Sequence, residues 1–196
     1  MVYQGDDVCE VIIQLAKNDE IHEAAHVLSL SLLDNPIHLA VYQGQGETER
    51  VETEKAFLKI LTKDPGKIFL AKTDQKIIGV MRMRFCEGCE IQSGPEGSND
   101  FESRKALWLN EWARRDPKYT HWHLGPLGVL PDYQKKGVGS KLMQRVCEEV
   151  DALPAIAYLE TDRERNVGLY EKFGFELVDK SMILNVKNTY MKRFPK

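Results

Sequence analysis

The sequence has no large excess of positive or negative charge, and it lacks long apolar runs. Its 27 Lys and Arg residues are offset by 30 Asp and Glu residues, which leaves a formal net charge of -3 at pH 7. Without a basic field we expect no binding to nucleic acid. No apolar run approaches the roughly 20 residues that a membrane-spanning helix needs, and nothing near the first residue resembles a signal segment. We therefore expect no membrane partner either.

Cysteine is also scarce. The four cysteines, at positions 9, 86, 89 and 147, are spread without a disulfide framework, so we expect reduced thiols and a cytoplasmic protein. Cys86 and Cys89 have the spacing of a zinc-ligand pair, but no second pair or clear Cys/His partner follows them. We interpret both as thiols of a hairpin loop and expect no metal.

The chain contains no evident linker or internal repeat, and its 196 residues fit one domain over 1–196. Residues 86–120 do not follow the hydrophobic periodicity of the rest of the chain. A polar stretch rich in turn-forming residues is followed there by a short amphipathic segment that carries Trp108 and Trp112. Long connections in compact domains are usually functional or disordered. We therefore predict an insertion or flap near a site at about 86–120.

Hydrophobic periodicity predicts an α/β fold with a mixed sheet covered by helices. The first half contains two helical patterns and one strand hairpin, and the second half alternates strands with helices. The first helix is expected to end at Asn35-Pro36, and the second at Asp64-Pro65-Gly66. The expected hairpin strands cover 68–71 and 77–85, and the last strand covers 188–194.

Two glycines stand where a predicted strand leads into a predicted helix, at Gly137 and Gly139. Glycine allows a bulky group to approach the backbone, and a helix N-terminus offers free N–H groups and a positive dipole end, so this loop suits an anion such as phosphate. A Walker loop is excluded because Ser140 precedes Lys141 with the wrong spacing. A dinucleotide fingerprint is excluded because Leu142 stands where a third glycine is needed.

Residues 134–139 read Gln-Lys-Lys-Gly-Val-Gly and resemble the signature of the GCN5-related N-acetyltransferase (GNAT) superfamily: Gln or Arg, two residues, Gly, one residue, then Gly or Ala. A second match follows in Asn166, Tyr170 and Gly174-Phe175, which resemble another segment of that family. The resemblance covers about 121–180. It implies a mostly antiparallel central sheet flanked by helices, the GNAT-like acyl-CoA N-acyltransferase fold.

The resemblance also implies acetyl-CoA as cosubstrate, with its pyrophosphate on the backbone of the glycine loop and its pantetheine arm between the preceding strand and Asn166. The cofactor-binding residues that it implies are Leu127, Gly128, Val129, Gln134, Lys135, Lys136, Gly137, Val138, Gly139, Ser140 and Asn166.

The reaction requires a base, because an amine with a pKa near 10.4 is almost entirely ammonium at neutral pH. It also benefits from an acid beside the departing thiolate. Tyr170 is the candidate acid because it lies one helical turn after Asn166; alternatively it is a core aromatic residue. His123 is the first candidate base, sharing a strand face with His121. Glu160 or a water relay is the alternative base.

We therefore expect an N-acetyltransferase that moves acetyl to a primary amine, in particular of a small molecule, by direct transfer in a ternary complex. The alternatives are a non-catalytic member that binds a CoA thioester for sensing or assembly, a protein N-acetyltransferase, or a nucleotide-binding α/β domain. Small amines, antibiotics, polyamines and protein amino termini remain open as acceptors. A monomer or a homodimer is expected.

Overall fold

The computed structural model of the chain describes residues 10–74, 76–88, 100–153 and 155–195. Cys9, Cys89 and part of the expected flap lie outside these ranges. The described residues form a sheet of seven strands: β1 (Ile12–Leu15), β2 (Lys67–Thr73), β3 (Lys76–Cys86), β4 (His121–Val129), β5 (Ile156–Thr161), β6 (Glu176–Ile183) and β7 (Val186–Arg193). The strand order is β1-β2-β3-β4-β5-β7-β6. All neighbours are antiparallel except β4 and β5, which confirms the predicted mixed, mostly antiparallel sheet.

Helices cover both faces of this sheet. The described helices are α1 (Ile21–Leu32), α2 (Pro36–Tyr42), α3 (Glu47–Lys63), α4 (Phe101–Arg115), α5 (Val138–Asp151) and α6 (Glu164–Lys172). A Cβ atom added at Gly128 would lie 2.9 Å from Ser31 of α1, and one added at Gly79 would lie 3.1 Å from Leu142 of α5. Gly79 pairs with Val129, so these two residues face the same side of the sheet, and Gly128, the neighbour of Val129, faces the other side. The helices α1 and α5 therefore lie on opposite faces of the sheet. None of the helices in the described ranges is long and apolar enough to cross a membrane, and the cytoplasmic location stays a prediction.

The segment Asn35-Pro36 starts a helix as well as following one. The Asn35 side chain caps α2 by accepting hydrogen bonds from the backbone N–H groups of Ile37 and His38 at 3.2 and 3.4 Å. Asp162, just after β5, accepts from the Asn35 amide at 2.8 Å and from the Ile37 N–H at 2.7 Å. The expectation that this segment only punctuates the first helix was incomplete, since proline is well suited to the first helical position.

The described part of the expected flap is mainly α4, which packs against α2 and β6. The Arg104 guanidinium donates to the Val41 carbonyl at 2.8 Å, and the Trp112 indole N–H donates to the Asn188 side chain at 2.9 Å. These bonds hold α4 over the end of the sheet that carries β6 and β7. Its assignment as an insertion stays a prediction.

The sheet is split between its two parallel strands. β4 and β5 pair only over three positions, from His121 opposite Ile156 to His123 opposite Tyr158. Beyond His123, β4 continues to Val129 in register with β3 alone, and the pairing with β3 shifts near Gly125-Pro126. The shift falls where Pro126 lacks the N–H group that strand pairing needs. The divergence of β4 from β5 opens a cleft along the backbone of residues 124–129.

Candidate active site

One cleft of about 1150 Å³ runs through the split in the sheet. Its lining includes residues 127–129 of β4, the glycine loop before α5, and side chains of α2, α3, α4 and α6. Pockets that hold a single drug-sized ligand usually measure about 300–1,000 Å³. The cleft is therefore larger than the usual site for one drug-sized ligand.

Most residues expected to bind the cofactor lie along this cleft. They are Leu127, Gly128, Val129, Gln134, Lys135, Gly137, Gly139, Ser140 and Asn166. The side chains of two others point elsewhere. Lys136 extends over the ring of Tyr133, with Nζ 5.8 Å from the ring centre, and Val138 is buried in the core. At these two positions the backbone N–H groups, and not the side chains, can serve a ligand.

The glycine loop has the geometry of an anion cradle. Gly137 caps α5 with a φ of 83°, in the left-handed region that suits glycine. The first N–H to bond back within the helix is that of Lys141, to the Gly137 carbonyl at 3.0 Å, so the preceding N–H groups have no intrahelical acceptor. At Gly139 an added Cβ would meet nothing closer than Val129, at 4.0 Å. The Gln134 amide ties the loop to β4 through a 3.0 Å bond to the Val129 carbonyl.

Tyr170 lies in α6 and lines the cleft, yet it is only 6% exposed. Its ring packs edge-on against Phe175, with ring centres 6.2 Å apart. Both sequence interpretations, core packing and a place at the site, therefore describe parts of its environment. Burial, with the charges of Asp162 and Glu160, raises the pKa of the Tyr170 hydroxyl above its usual value. The hydroxyl thus keeps its proton at neutral pH.

His123 lies between two carboxylates. Its Nδ1 is 3.0 Å from Asp116 Oδ1, and its Nε2 is 3.2 Å from Glu160 Oε1. Burial lowers the pKa of His123, but the charge of Glu160 and the hydrogen bonds that His123 donates to both carboxylates outweigh burial and raise the pKa to about 10. Glu160 lines the cleft, and its second oxygen, Oε2, has no hydrogen-bond partner among the described residues.

Asp116 was missed by the sequence interpretation. It ends α4 and lines the cleft, and its carboxylate faces His123 and also His121, whose Nε2 lies 3.3 Å away. Burial raises the pKa of Asp116, but hydrogen bonds with the two histidines outweigh it and hold the pKa well below its usual range. The shared strand face of His121 and His123 is confirmed, with ring centres 6.2 Å apart. Only the fold brings Asp116 to them.

The far side of the cleft is an aromatic wall formed by His38, Tyr42, Phe57, Trp108 and Trp112. The ring centres of His38 and Trp108 are 5.3 Å apart, and those of Trp108 and Trp112 are 5.0 Å apart. Burial, aided by the charge of Arg163, lowers the pKa of His38 to about 4. His38 is therefore neutral, and the wall is largely apolar.

The sequence offered only a weak signal for this wall. The tryptophans of α4 stood out, but their amphipathic spacing is explained equally well by packing, and His38 carried no signal. Trp122, the third tryptophan of the chain, packs against Phe85 with ring centres 5.2 Å apart.

A split, mostly antiparallel sheet with a glycine loop and a helix N-terminus in the split defines an acyl-transferring α/β enzyme of the kind that the motifs predicted. Residues 35–175 match the sequence model of the acetyltransferase (GNAT) family. The chain belongs to this family. Family membership confirms the resemblance and the expectation of an acetyl-CoA-dependent N-acetyltransferase.

Solved structures share the fold across nearly the whole chain. The histone acetyltransferase HPA2 and related acetyltransferase from Corynebacterium glutamicum is 18% identical, with a TM-score of 0.69 over 95% of this chain and 97% of that one. The mosquito protein arylalkylamine N-acetyltransferase-like 5b is also 18% identical to this chain, with a TM-score of 0.67 over 94% of this chain and 100% of that one. A GNAT family acetyltransferase from Brucella melitensis in complex with acetyl-CoA is 18% identical, with a TM-score of 0.55 over 95% and 88%. At these identities the likeness concerns the fold.

Proposed function

We propose that this protein transfers the acetyl group of acetyl-CoA directly to the primary amine of a small molecule that carries an aromatic arm. The observation that carries this proposal is one continuous cleft. The glycine loop, Glu160, Tyr170 and the aromatic wall all line it. Both substrates can therefore be bound at once, as direct transfer in a ternary complex requires.

Acetyl-CoA suits the loop end of the cleft. The diphosphate would meet the free N–H groups and positive dipole end of α5, with Lys135 adding positive charge. The pantetheine arm would lie along residues 127–129, where β4 has no β5 partner, with Asn166 on the other side. The acetyl-CoA complex of the Brucella melitensis structure, which shares this fold, supports the cosubstrate.

We assign the role of base to Glu160 and a positioning role to His123. Both ring nitrogens of His123 already face carboxylates, at 3.0 and 3.2 Å, so the ring has no free lone pair aimed at an amine. Glu160 keeps one oxygen without a partner in the described part of the chain. This modifies the first expectation, in which His123 itself took the proton, and uses the alternative that was left open.

Tyr170 is assigned as the acid. The amine nitrogen forms a bond to the thioester carbonyl carbon, and the carbon–sulfur bond breaks. The ammonium group first loses one proton to solvent through Glu160, which frees the lone pair for the attack. The second proton then passes from the bonded nitrogen to Glu160, and the CoA thiolate takes a proton from the Tyr170 hydroxyl, so one proton is released overall. Exchange with solvent restores both side chains. A phenol is fully protonated at neutral pH, so its proton is in place when the thiolate departs.

The acceptor class follows from the wall and from the charges around it. The aromatic wall favours an aryl or indole ring, since stacked and edge-on ring pairs add about 0.5–1.5 kcal/mol beyond simple burial. Eight Lys and Arg residues line the cleft, Lys59, Lys63 and Lys105 among them, against four Asp and Glu residues. This excess of positive charge disfavours a second ammonium group on the acceptor. An arylalkyl monoamine is therefore preferred over a polyamine.

The test is an acceptor panel with CoA thiol release as readout. We expect phenylethylamine and tryptamine to give kcat/KM at least about 10-fold above spermidine, agmatine and a peptide with a free amino terminus, since one aromatic contact and one repulsive charge together approach 1.4 kcal/mol. Trp108→Leu should reduce this preference. A peptide or polyamine as best substrate would reject the acceptor class. Tight acetyl-CoA binding without release by any amine would favour a non-catalytic binding role.

A further inference from the structure

We propose that Cys86, Asp116, His121 and His123 form a zinc-binding site where β3 ends and β4 begins. The site would be closed, with four protein ligands. It lies beside the proposed base but does not depend on the proposed acetyl transfer.

The four ligand atoms already converge. One atom from each residue, the thiol sulfur, a carboxylate oxygen and one nitrogen of each imidazole, lies within 4.8 Å of the others. The two closest separations from Asp116 Oδ1 are 3.0 Å to His123 Nδ1 and 3.3 Å to His121 Nε2. Zinc bonds of 2.0–2.3 Å in a tetrahedron place ligand atoms about 3.3–3.6 Å apart. The widest pair therefore needs to close by roughly 1 Å.

The ligands stand on rigid elements. Cys86 lies directly opposite His121 in the antiparallel β3–β4 pair, and His123 is two residues further along the same face of β4. Asp116 reaches them from the C-terminal end of α4. The ring of Tyr158 packs against both imidazoles, with centres 5.8 and 5.6 Å away, which limits how far the histidines can turn.

His121 carries the independent observation. Its Nδ1 lies 2.8 Å from the Tyr119 carbonyl oxygen, and because a carbonyl only accepts, Nδ1 must carry a hydrogen. In the neutral ring the lone pair is then on Nε2. The side chain is 0% exposed, and Nε2 points into the cluster, 3.3 Å from Oδ1 of the Asp116 carboxylate. A lone pair against a carboxylate is repulsive unless a cation stands between them. In the metal-free protein a proton on Nε2 fills this role, and Zn²⁺ would take the place of that proton.

The surroundings match a zinc site beyond the ligands. With His123 bound through Nδ1, its Nε2–H would donate to Glu160, 3.2 Å away, as carboxylates commonly support zinc-bound imidazoles. The His121 Nδ1–H is held by the Tyr119 carbonyl in the same manner. One thiolate, one carboxylate and two neutral imidazoles balance the charge of Zn²⁺, so the buried site would be neutral overall.

The pairing also explains why a metal was not expected from the sequence. Cys86 was judged as half of a pair with Cys89, which lies outside the described residues, and no second ligand pair follows nearby in sequence. The fold supplies the histidines from the facing strand, some 35 residues later in the chain. Ligands split between two paired strands leave no short spacing for a sequence search to find.

The test uses the full chain, purified without chelators. We expect about one zinc per chain by elemental analysis, and Co²⁺ in its place should give a thiolate-to-cobalt charge-transfer band with the intense visible absorption of tetrahedral cobalt. Cys86→Ser and His121→Gln should each weaken Zn²⁺ binding, measured against a chromophoric chelator, by at least about 10- to 100-fold. Cys147→Ser, which removes a buried thiol of α5 away from the cluster, should leave binding unchanged.

Two results would overturn the proposal. One is a folded wild-type chain that binds neither Zn²⁺ nor Co²⁺ stoichiometrically. The other is a cobalt spectrum and zinc affinity that persist in folded Cys86→Ser. Folding is checked by circular dichroism, and if either ligand variant does not fold, the wild-type cobalt spectrum decides through the presence or absence of the thiolate band. None of these readouts requires acetyl transfer, so failure of the proposed activity is seen separately.

Discussion

Gly139 allows the stability of the glycine loop to be separated from its binding of acetyl-CoA. It is the second residue of α5, and a Cβ added there would meet nothing closer than Val129 Cγ2 at 4.0 Å. Gly139→Ala is therefore accommodated in the free protein. Because alanine favours the helical state over glycine, we expect the free energy of unfolding to rise by up to about 1 kcal/mol.

The same methyl group would project into the cleft, where we propose that the N–H groups of α5 meet the diphosphate. Displacing the diphosphate would weaken one charge-assisted hydrogen bond or more, each contributing about 1.5–3 kcal/mol. This corresponds to a rise in the acetyl-CoA Kd of about 10- to 100-fold. Calorimetric titration with acetyl-CoA measures the Kd, and urea unfolding measures the stability.

Gly168→Ala is the matched control. Gly168 lies in α6 outside the cleft lining, and a Cβ there would meet nothing within 4 Å. We expect a similar gain in stability with an unchanged Kd. An unchanged Kd in Gly139→Ala, or an equal rise in Gly168→Ala, would refute the assignment of the loop as the diphosphate cradle.

Three further predictions follow from packing, chemistry and protonation. Gly128→Ala forces a Cβ to within 2.9 Å of Ser31 and should lower the free energy of unfolding in urea by about 1–3 kcal/mol; wild-type stability would contradict the tight helix contact. Tyr170→Phe and Glu160→Gln should each lower kcat by about 100-fold or more with the acetyl-CoA Kd unchanged, and full activity in either would remove that residue from the mechanism. The pKa of His38 is about 4 in the folded protein, against 6.5 for a free histidine, so the unfolded chain binds more protons between these pH values. The free energy of unfolding should therefore fall as the pH drops from 6.5 towards 4, by up to about 3 kcal/mol. His38→Gln should flatten this part of the pH profile, and an unchanged slope would assign it to other groups.

The features that sequence could predict are those governed by neighbouring residues. The glycine loop at 134–139 follows from backbone rules that act within a few positions, and the structure places Gly137 in the left-handed conformation at the start of α5. The spacing of Asn166 and Tyr170 puts both on one face of a single helix, and both line the cleft. The shared face of His121 and His123 follows from strand alternation.

The features that sequence could not predict depend on contacts between distant segments. Asn35 looks like a stop signal, and only the contact with Asp162, 127 residues later, anchors the new helix there. Asp116 carries no motif, and it becomes part of the site because α4 ends against β4. The aromatic wall draws on α2, α3 and α4, whose apolar faces predict burial but not the partner that they bury against.

An initial-rate study with both substrates varied tests the central claim most directly, with the acetylated amine and free CoA quantified by mass spectrometry. Direct transfer in one cleft predicts intersecting double-reciprocal lines for acetyl-CoA and phenylethylamine or tryptamine, with one N-acetylated product formed for each CoA released. Parallel lines with an acetylated form of the protein would contradict direct transfer. CoA release that is independent of the amine would contradict the proposed acetyltransferase reaction itself.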